Sequence, residues 1–307
     1  MSCLPRDSKR PRPFGVSRQA LTAWAFLAPA LALFILFVLT PIVAAFYLSL
    51  TRYDGVNPPI WIGAANYLRL GRDLAQGGLF ARSLANTARY AVGVIPLGMG
   101  LALGLALLLN RKLRGVSFYR AAYYLPVVTS LVAVSMVWMW LYEPNYGLLN
   151  LLLARLGLPV QKWLDDPALA MPCIVAMSVW KGLGYNMVIF LAGLQGIPEH
   201  LHEAAAIDGA GAWQRFRHVT WPLLKPTTFF ILVISVIGAS QVFAQVYVMT
   251  NGGPNDATTT IVHQIFQNAF AFMKMGYASA MAFLLFLIIF VVTSINMRLF
   301  RGEVEYT

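Results

Sequence analysis

The chain has 307 residues, of which 59% are hydrophobic and 11% charged, with a net charge of +11. A soluble domain carries about 25% charged residues, so this composition excludes a soluble globular protein and points to a membrane chain. Two cysteines, Cys3 and Cys173, cannot build a disulfide or metal framework.

The apolar residues come in blocks long enough to cross a bilayer, about 20 residues each. No charge lies between Arg18 and Arg52, Arg89 and Arg111, Arg120 and Glu143, Lys225 and Asp256, or Lys274 and Arg298. A further block, 168–194, is broken only by Lys181. These blocks predict six transmembrane helices at about 22–48, 87–109, 121–142, 168–194, 226–250 and 276–298. The fold class is therefore an all-α membrane protein. The first block follows a basic segment, but its uncharged length far exceeds a signal-peptide core, so it is read as a retained span.

In chain order, residues 1–20 form a basic Pro- and Arg-rich tail suited to an anionic leaflet. Residues 21–81 are the first helix with an outer loop, in which a short helix is expected at 64–70. The second span carries "GMGLALGLA", where Gly100 and Gly104 make a GxxxG pair read as bundle packing within the chain. "WMWLYEP" closes the third span and reads as an interfacial aromatic belt. "DDP" precedes the fourth span, with Pro167 expected at its start, and "NGGP" after the fifth is turn chemistry. Residues 299–307 are a short tail.

With six spans, the four segments on one side hold 14 Lys/Arg and the three on the other hold 7. That bias places both termini in the cytoplasm. The positive charge is a topology signal rather than a nucleic-acid footprint.

Between the fourth and fifth spans lies a polar stretch, "IPEHLHEAAAIDGAGAWQRFRHVTWP", at 197–222. Pro198 and Glu199 suit a helix start, Gly209 suits a stop, and a second segment runs to Trp221-Pro222, which should break it. Leu201, Ala204, Ala205 and Asp208 share one face. Such a helix is too short and polar to span; it can lie on the bilayer or dock into a partner's groove.

The residues Glu203, Ala204, Ala205 and Gly209, followed by Val219, Trp221 and Pro222, closely resemble the EAA signature of ABC importer permeases, with Trp221 in place of the usual Leu. The resemblance extends over about 20–300 and is greatest to the carbohydrate-uptake branch, of the maltose- and glycerol-3-phosphate-type first permease. It implies a type I importer permease fold with a permease core at 82–298 and a cytoplasmic coupling helix. It also implies partners: a second permease, two ATPase subunits and an external solute-binding protein. Glu203, Ala204, Ala205, Asp208, Gly209 and Pro222 would then couple the chain to the ATPase, with Glu203 meeting a basic residue there. No GxxxxGK[ST] occurs, so ATP and magnesium are expected on the partner ATPase and no cofactor or metal in this chain.

For the substrate path, "VWKGLGYN" offers Trp180, Lys181, Tyr185 and Asn186, with Gly182 and Gly184 expected to loosen the helix. Aromatic faces and polar groups together suit a sugar. A Lys at a span centre costs about 2.5–3.5 kcal/mol, which calls for either a pathway role or neighbouring carbonyls. In the maltose permease the matching segment lines the sugar site, with a Tyr matching Tyr185. In the fifth span Ser235, Gly238, Ala239 and Val242 share a face, while Gln241 and Gln245 pair at i, i+4 and either touch substrate or join helices. Ser235 matches the maltose permease; Ala239 and Val242 stand where it has Asn. A glycerol-3-phosphate or polyol importer of the same family is the alternative. An ion-coupled secondary transporter would need intramembrane carboxylates, whereas all 12 acids lie outside the spans.

Overall fold

The computed structural model describes residues 18–110 and 115–300. The tails at 1–17 and 301–307 and the basic turn at 111–114 lie outside the described residues, so the expected basic tail and most of the expected C-terminal tail are not among them. The chain divides into two compact units that part between Tyr47 and Leu48.

The first unit holds α1 (Arg18–Phe34), a π-turn (Ile35–Leu39) and most of α2 (Thr40–Ser49). The widened turn has a local cause. Pro41 has no N–H to give back to the preceding turn, and Thr40 instead bonds the Ile35 carbonyl through its own N–H and, at 2.8 Å, its hydroxyl.

The second unit begins with a hairpin, β1 (Thr51–Arg52) against β2 (Ile60–Trp61), antiparallel with Thr51 opposite Trp61. It continues with α3 (Ala65–Ala75), the short helix expected at 64–70, and α4 (Leu79–Leu109). Asp73 Oδ2 accepts the Phe80 N–H at 2.7 Å, so α4 begins at Leu79 rather than at about 87.

The third span is broken. α5 (Val116–Val128) and α6 (Leu131–Leu141) meet at 97°, where one straight helix was expected over 121–142. Thr129 and Ser130 are extended, and Lys181 of the fourth span supplies the hydrogen bonds that the interrupted helix lacks. Among the described residues five helices are by themselves long and apolar enough to span, and the bent pair, taken as one span, makes six.

α7 (Leu148–Arg155) lies in the loop between the third and fourth spans, and α8 (Ala170–Gln195) is the fourth span. α8 starts three residues after Pro167 and runs unbroken through Gly182 and Gly184, so those glycines do not loosen it. A Cβ on Gly184 would run into the Tyr123 carbonyl, so glycine lets α8 and α5 approach backbone to backbone.

α9 (Glu199–Ile207) and α10 (Ala212–Arg215) form the polar loop. Pro222 does not break the second segment as expected. A π-turn at Phe216–Thr220, closed by the Trp221 N–H on the Phe216 carbonyl, absorbs the proline and passes directly into α11 (Trp221–Ser240). The same device precedes Pro41. The fifth span ends at Ser240, not 250; after a three-residue break comes α12 (Ala244–Met249). α13 (Ile261–Phe266), a third π-turn (Gln267–Ala271) and α14 (Met275–Phe300) complete the chain.

Among the described residues, three apolar cores hold the bundle. The first joins Tyr90, Tyr142, Ile174, Met177, Ala239 and Val246; another joins Ala102, Ala106, Met187, Phe190, Leu224 and Ile231; the third joins Leu70, Phe80, Ile261, Ala280, Met281 and Leu285. The GxxxG expectation is corrected here. The packed face of α4 is Ala102 and Ala106, both fully buried, while a Cβ on Gly100 or Gly104 would meet nothing within 4 Å. The aromatic belt is corrected too. Trp140 is 64% exposed, but Tyr142 is buried with its hydroxyl on the Cys173 carbonyl at 3.2 Å, and the Trp138 ring packs against it at a 45° tilt, 5.4 Å between centres. A phenol turned inward must find an acceptor, and α8 supplies one.

Candidate functional site

Two features stand out at successive levels of the bundle: an exposed helix pair beyond the spans and a cavity among them.

The helix pair follows from its glycine. Gly209 adopts φ +77°, its N–H donates to the Ala206 carbonyl at 3.1 Å, and the Ala210 N–H donates to Ala205 at 2.9 Å. These two bonds form a Schellman C-cap, which needs a left-handed residue where glycine stands. The cap stops α9 abruptly and sends the chain into α10, whose Gly211 N–H donates to Gln214 Oε1 at 2.7 Å. Glu203, Ala204 and Asp208 are exposed, and α9 buries no residue within the chain. Ile207 is 87% and Trp213 70% exposed, which water disfavours for two large apolar side chains on one short loop. Ala205, Asp208 and Gly209 line a hollow of about 290 Å³ against Arg215 and His218 of the second segment, and Arg215 Nε is buried there without a hydrogen-bond partner. Pro222 lies apart from this surface, at the start of α11.

The cavity, about 280 Å³, is an open recess lined by α4, α8 and α11. Tyr185, Asn186 and Ser235 line it, as the sequence led one to expect, with Gly238 and Ala239 beside them. Trp180 does not; its ring lies 5.7 Å from Trp138, on the side facing α6. Lys181 does not either. Its ammonium donates to the carbonyls of Pro126 (3.0 Å), Val127 (3.4 Å) and Thr129 (3.0 Å), capping the broken end of α5. Of the two alternatives open for Lys181, the geometry gives the carbonyl partners.

The glutamines do not pair at i, i+4, because the helix ends between them. Gln241 is exposed at the break, whereas Gln245 of α12 is buried and donates to the Tyr90 hydroxyl at 3.0 Å, with Ser178 Oγ at 3.5 Å. Val242 is buried in the first core rather than on the cavity wall.

Sequence reasoning missed Tyr90, Ser178 and the cavity-facing role of Gly182. Tyr90 is the one phenol between Arg89 and Arg111, and its position in an otherwise apolar block was the available signal. The wall thus combines two aromatic rings, an amide, two hydroxyl side chains and three glycines, with no charged residue. Such a surface can stack on an apolar ring face and exchange hydrogen bonds with hydroxyls.

Comparison with known proteins places these features in context. Residues 95–302 match the family described as "Binding-protein-dependent transport system inner membrane component". The chain is similar to the probable ABC transporter permease protein YesP of Bacillus subtilis, 37% identical over 95% of this chain and 94% of that one. It is similar to the sn-glycerol-3-phosphate transport system permease protein UgpA of Agrobacterium fabrum, 34% identical over 92% and 96% of the two chains. The trehalose/maltose transport system permease protein MalF of Thermococcus litoralis is 34% identical over 92% and 95%. In fold it matches a chain from the crystal structure of a bacterial ABC transporter involved in the import of the acidic polysaccharide alginate. That match has a TM-score of 0.81 at 23% identity and covers 94% of this chain and 98% of that one.

Proposed function

The chain belongs to the family of binding-protein-dependent transport system inner membrane components, and from that premise we propose that it is one of two permeases forming the pore of an ATP-driven importer of neutral sugars. The chain is a multi-pass membrane permease of the type I importer fold. The neutral-sugar reading draws on relatives named for trehalose/maltose and for arabinooligosaccharides.

One observation carries the mechanism. A single continuous helix, Ala212–Ser240, bears the exposed loop at one end and Ser235, Gly238 and Ala239 of the cavity wall near the other. At 1.5 Å per residue, such a rod is about 43 Å long. A partner ATPase that grips α9 and α10 on nucleotide closure would move the cavity wall without any hinge between. Glu203 would pair with a cation of the ATPase, Ile207 and Trp213 would be buried in its cleft, and Gly209 would hold the angle between the two short helices. ATP and magnesium belong to that partner, and both termini of this chain lie on its side of the membrane, in the cytoplasm.

The cavity wall favours a neutral hydroxylated solute over glycerol 3-phosphate, because Lys181, the cation deep in the fourth span, is committed to three carbonyls. Reconstituting the complex with its solute-binding protein and comparing a panel of neutral di- and oligosaccharides with glycerol 3-phosphate tests this. Neutral sugars should stimulate ATP hydrolysis and be taken up; stimulation by glycerol 3-phosphate alone would contradict the reading.

A further inference from the structure

A second cavity, larger than the one above, shares no lining residue with either feature described so far. It is a cleft of about 600 Å³ between the β1–β2 hairpin, α3 and the start of α14, lined by Arg52, Asp54, Arg69, Lys274, Tyr53 and Tyr277 among others. Six spans put this end of the bundle on the face opposite α9 and α10, since it lies between the first two spans and between the last two.

The charges of this cleft are not explained by membrane topology. Of the 7 Lys/Arg on this side, three line the one cleft, and positive charge is sparse on the outer side by rule. The one acid among the lining residues, Asp54, offsets a single one of these three charges, so the cleft keeps an excess of positive charge. Asp54 accepts the Val56 N–H at 3.0 Å, the Asn57 N–H at 2.8 Å and Asn57 Nδ2 at 2.6 Å, which holds its pKa down to about 2. Its oxygens are spent on its own turn.

The cations are held on a fixed frame. The Arg69 guanidinium sits 4.8 Å from the centre of the Tyr277 ring and the Lys274 ammonium 5.5 Å from that of Phe272. Buried Asn66 ties α3 to the carbonyls of Ser49 and Thr51, both at 2.9 Å, and the Gly276 N–H reaches the Tyr53 carbonyl at 3.1 Å. Met273 takes φ +51°, an uncommon backbone for such a residue, and the next N–H, that of Lys274, bonds the Asn268 carbonyl at 2.7 Å.

We propose that this cleft is the docking point for carboxylate side chains of the external solute-binding protein, steering its encounter with the permease. The proposal rests on the importer reading. Two guanidinium groups present forks that match carboxylates, and a fixed cationic recess accelerates association with an acidic surface at low salt. Apart from Tyr277, in the first turn of the last span, the lining residues lie beyond the ends of the spans, where a protein outside the membrane reaches them.

The test uses the whole complex in nanodiscs, with ATPase rate measured against the concentration of loaded binding protein. The double variant Arg52→Glu/Arg69→Glu should raise the half-saturating concentration tenfold or more, leave the maximal rate and thermal unfolding unchanged, and flatten the salt dependence. Arg52→Gln/Arg69→Gln, which adds no repulsion, should give a smaller shift in the same direction. Unchanged half-saturation and salt dependence in both variants would overturn the proposal, as would a response only to anionic lipid content. If the wild-type complex shows no stimulation by its binding protein, the importer reading itself fails, and this proposal with it.

Discussion

Lys181 Nζ and the Pro126 carbonyl oxygen lie 3.0 Å apart, one from an unbroken span and the other from the end of a broken one. The same ammonium reaches Val127 and Thr129, so a single side chain satisfies the carbonyls that α5 leaves unpaired where it turns through 97° into α6. Hydrogen bonds between membrane helices are worth roughly 0.6 kcal/mol each, so Lys181→Met should cost about 2 kcal/mol. Thermal unfolding in nanodiscs should show that loss, while apparent substrate affinity stays near wild type. A large affinity change with no loss of stability would return Lys181 to the substrate path.

The cavity makes a separate prediction. A Cβ on Gly182 or Gly238 would meet no atom within 4 Å, so larger side chains there enter empty space rather than strain the helix. Gly238→Leu should therefore reduce uptake at least tenfold while the complex assembles and unfolds like wild type. Normal uptake through a filled cavity would show that solute travels elsewhere.

Tyr90 and Gln245 are joined at 3.0 Å in the interior. Tyr90→Phe removes the acceptor and leaves a buried amide donor short of a partner, a cost of about 1–3 kcal/mol. Because Tyr90 also faces the cavity, substrate half-saturation should rise in the same variant. Gln245→Leu, which removes the other partner away from the wall, should lower stability with little change in half-saturation.

How much of this was legible in the sequence depended on whether a feature was local. Gly209 could be read as a helix stop because its left-handed cap involves only residues 205–210. Charge-free blocks located most spans because burial in lipid acts on each segment alone. The break at 129–130, by contrast, is affordable only because Lys181 sits across from it, some 50 positions later in the chain. Pro222 misled for a similar reason: a proline signals a helix break, but a π-turn upstream removes the conflict and keeps the rod intact. Tyr185 and Asn186 were recognisable from their chemistry and Ser235 from the family resemblance, whereas Tyr90 lies on α4 and joins them only through packing.

The turn between the fifth and sixth spans predicts a pH effect. Burial pushes the His263 imidazole below its ordinary value of 6.5, with nearby Asp256 opposing, and Nδ1 is buried without a partner. A depressed histidine means that the folded turn binds fewer protons than the unfolded chain below about pH 6.5, so its stability rises with pH through that window and falls on acidification. Hydrogen exchange over 251–275, corrected for intrinsic rates, should quicken between pH 7.5 and 5.5. His263→Gln should remove the dependence; a turn equally protected at both pH values would contradict the assignment.

The central claim is that the helix pair around Glu203 seats in an ATPase. Purifying the tagged chain from gently solubilised native membranes and identifying its companions by mass spectrometry tests that claim most directly. The account predicts a second permease with its own EAA loop and an ATPase, the ATPase being lost and the second permease kept in a Glu203→Lys/Trp213→Glu variant. A chain recovered alone, together with wild-type transport by that variant, would contradict it and leave α9 and α10 as helices resting on the membrane surface.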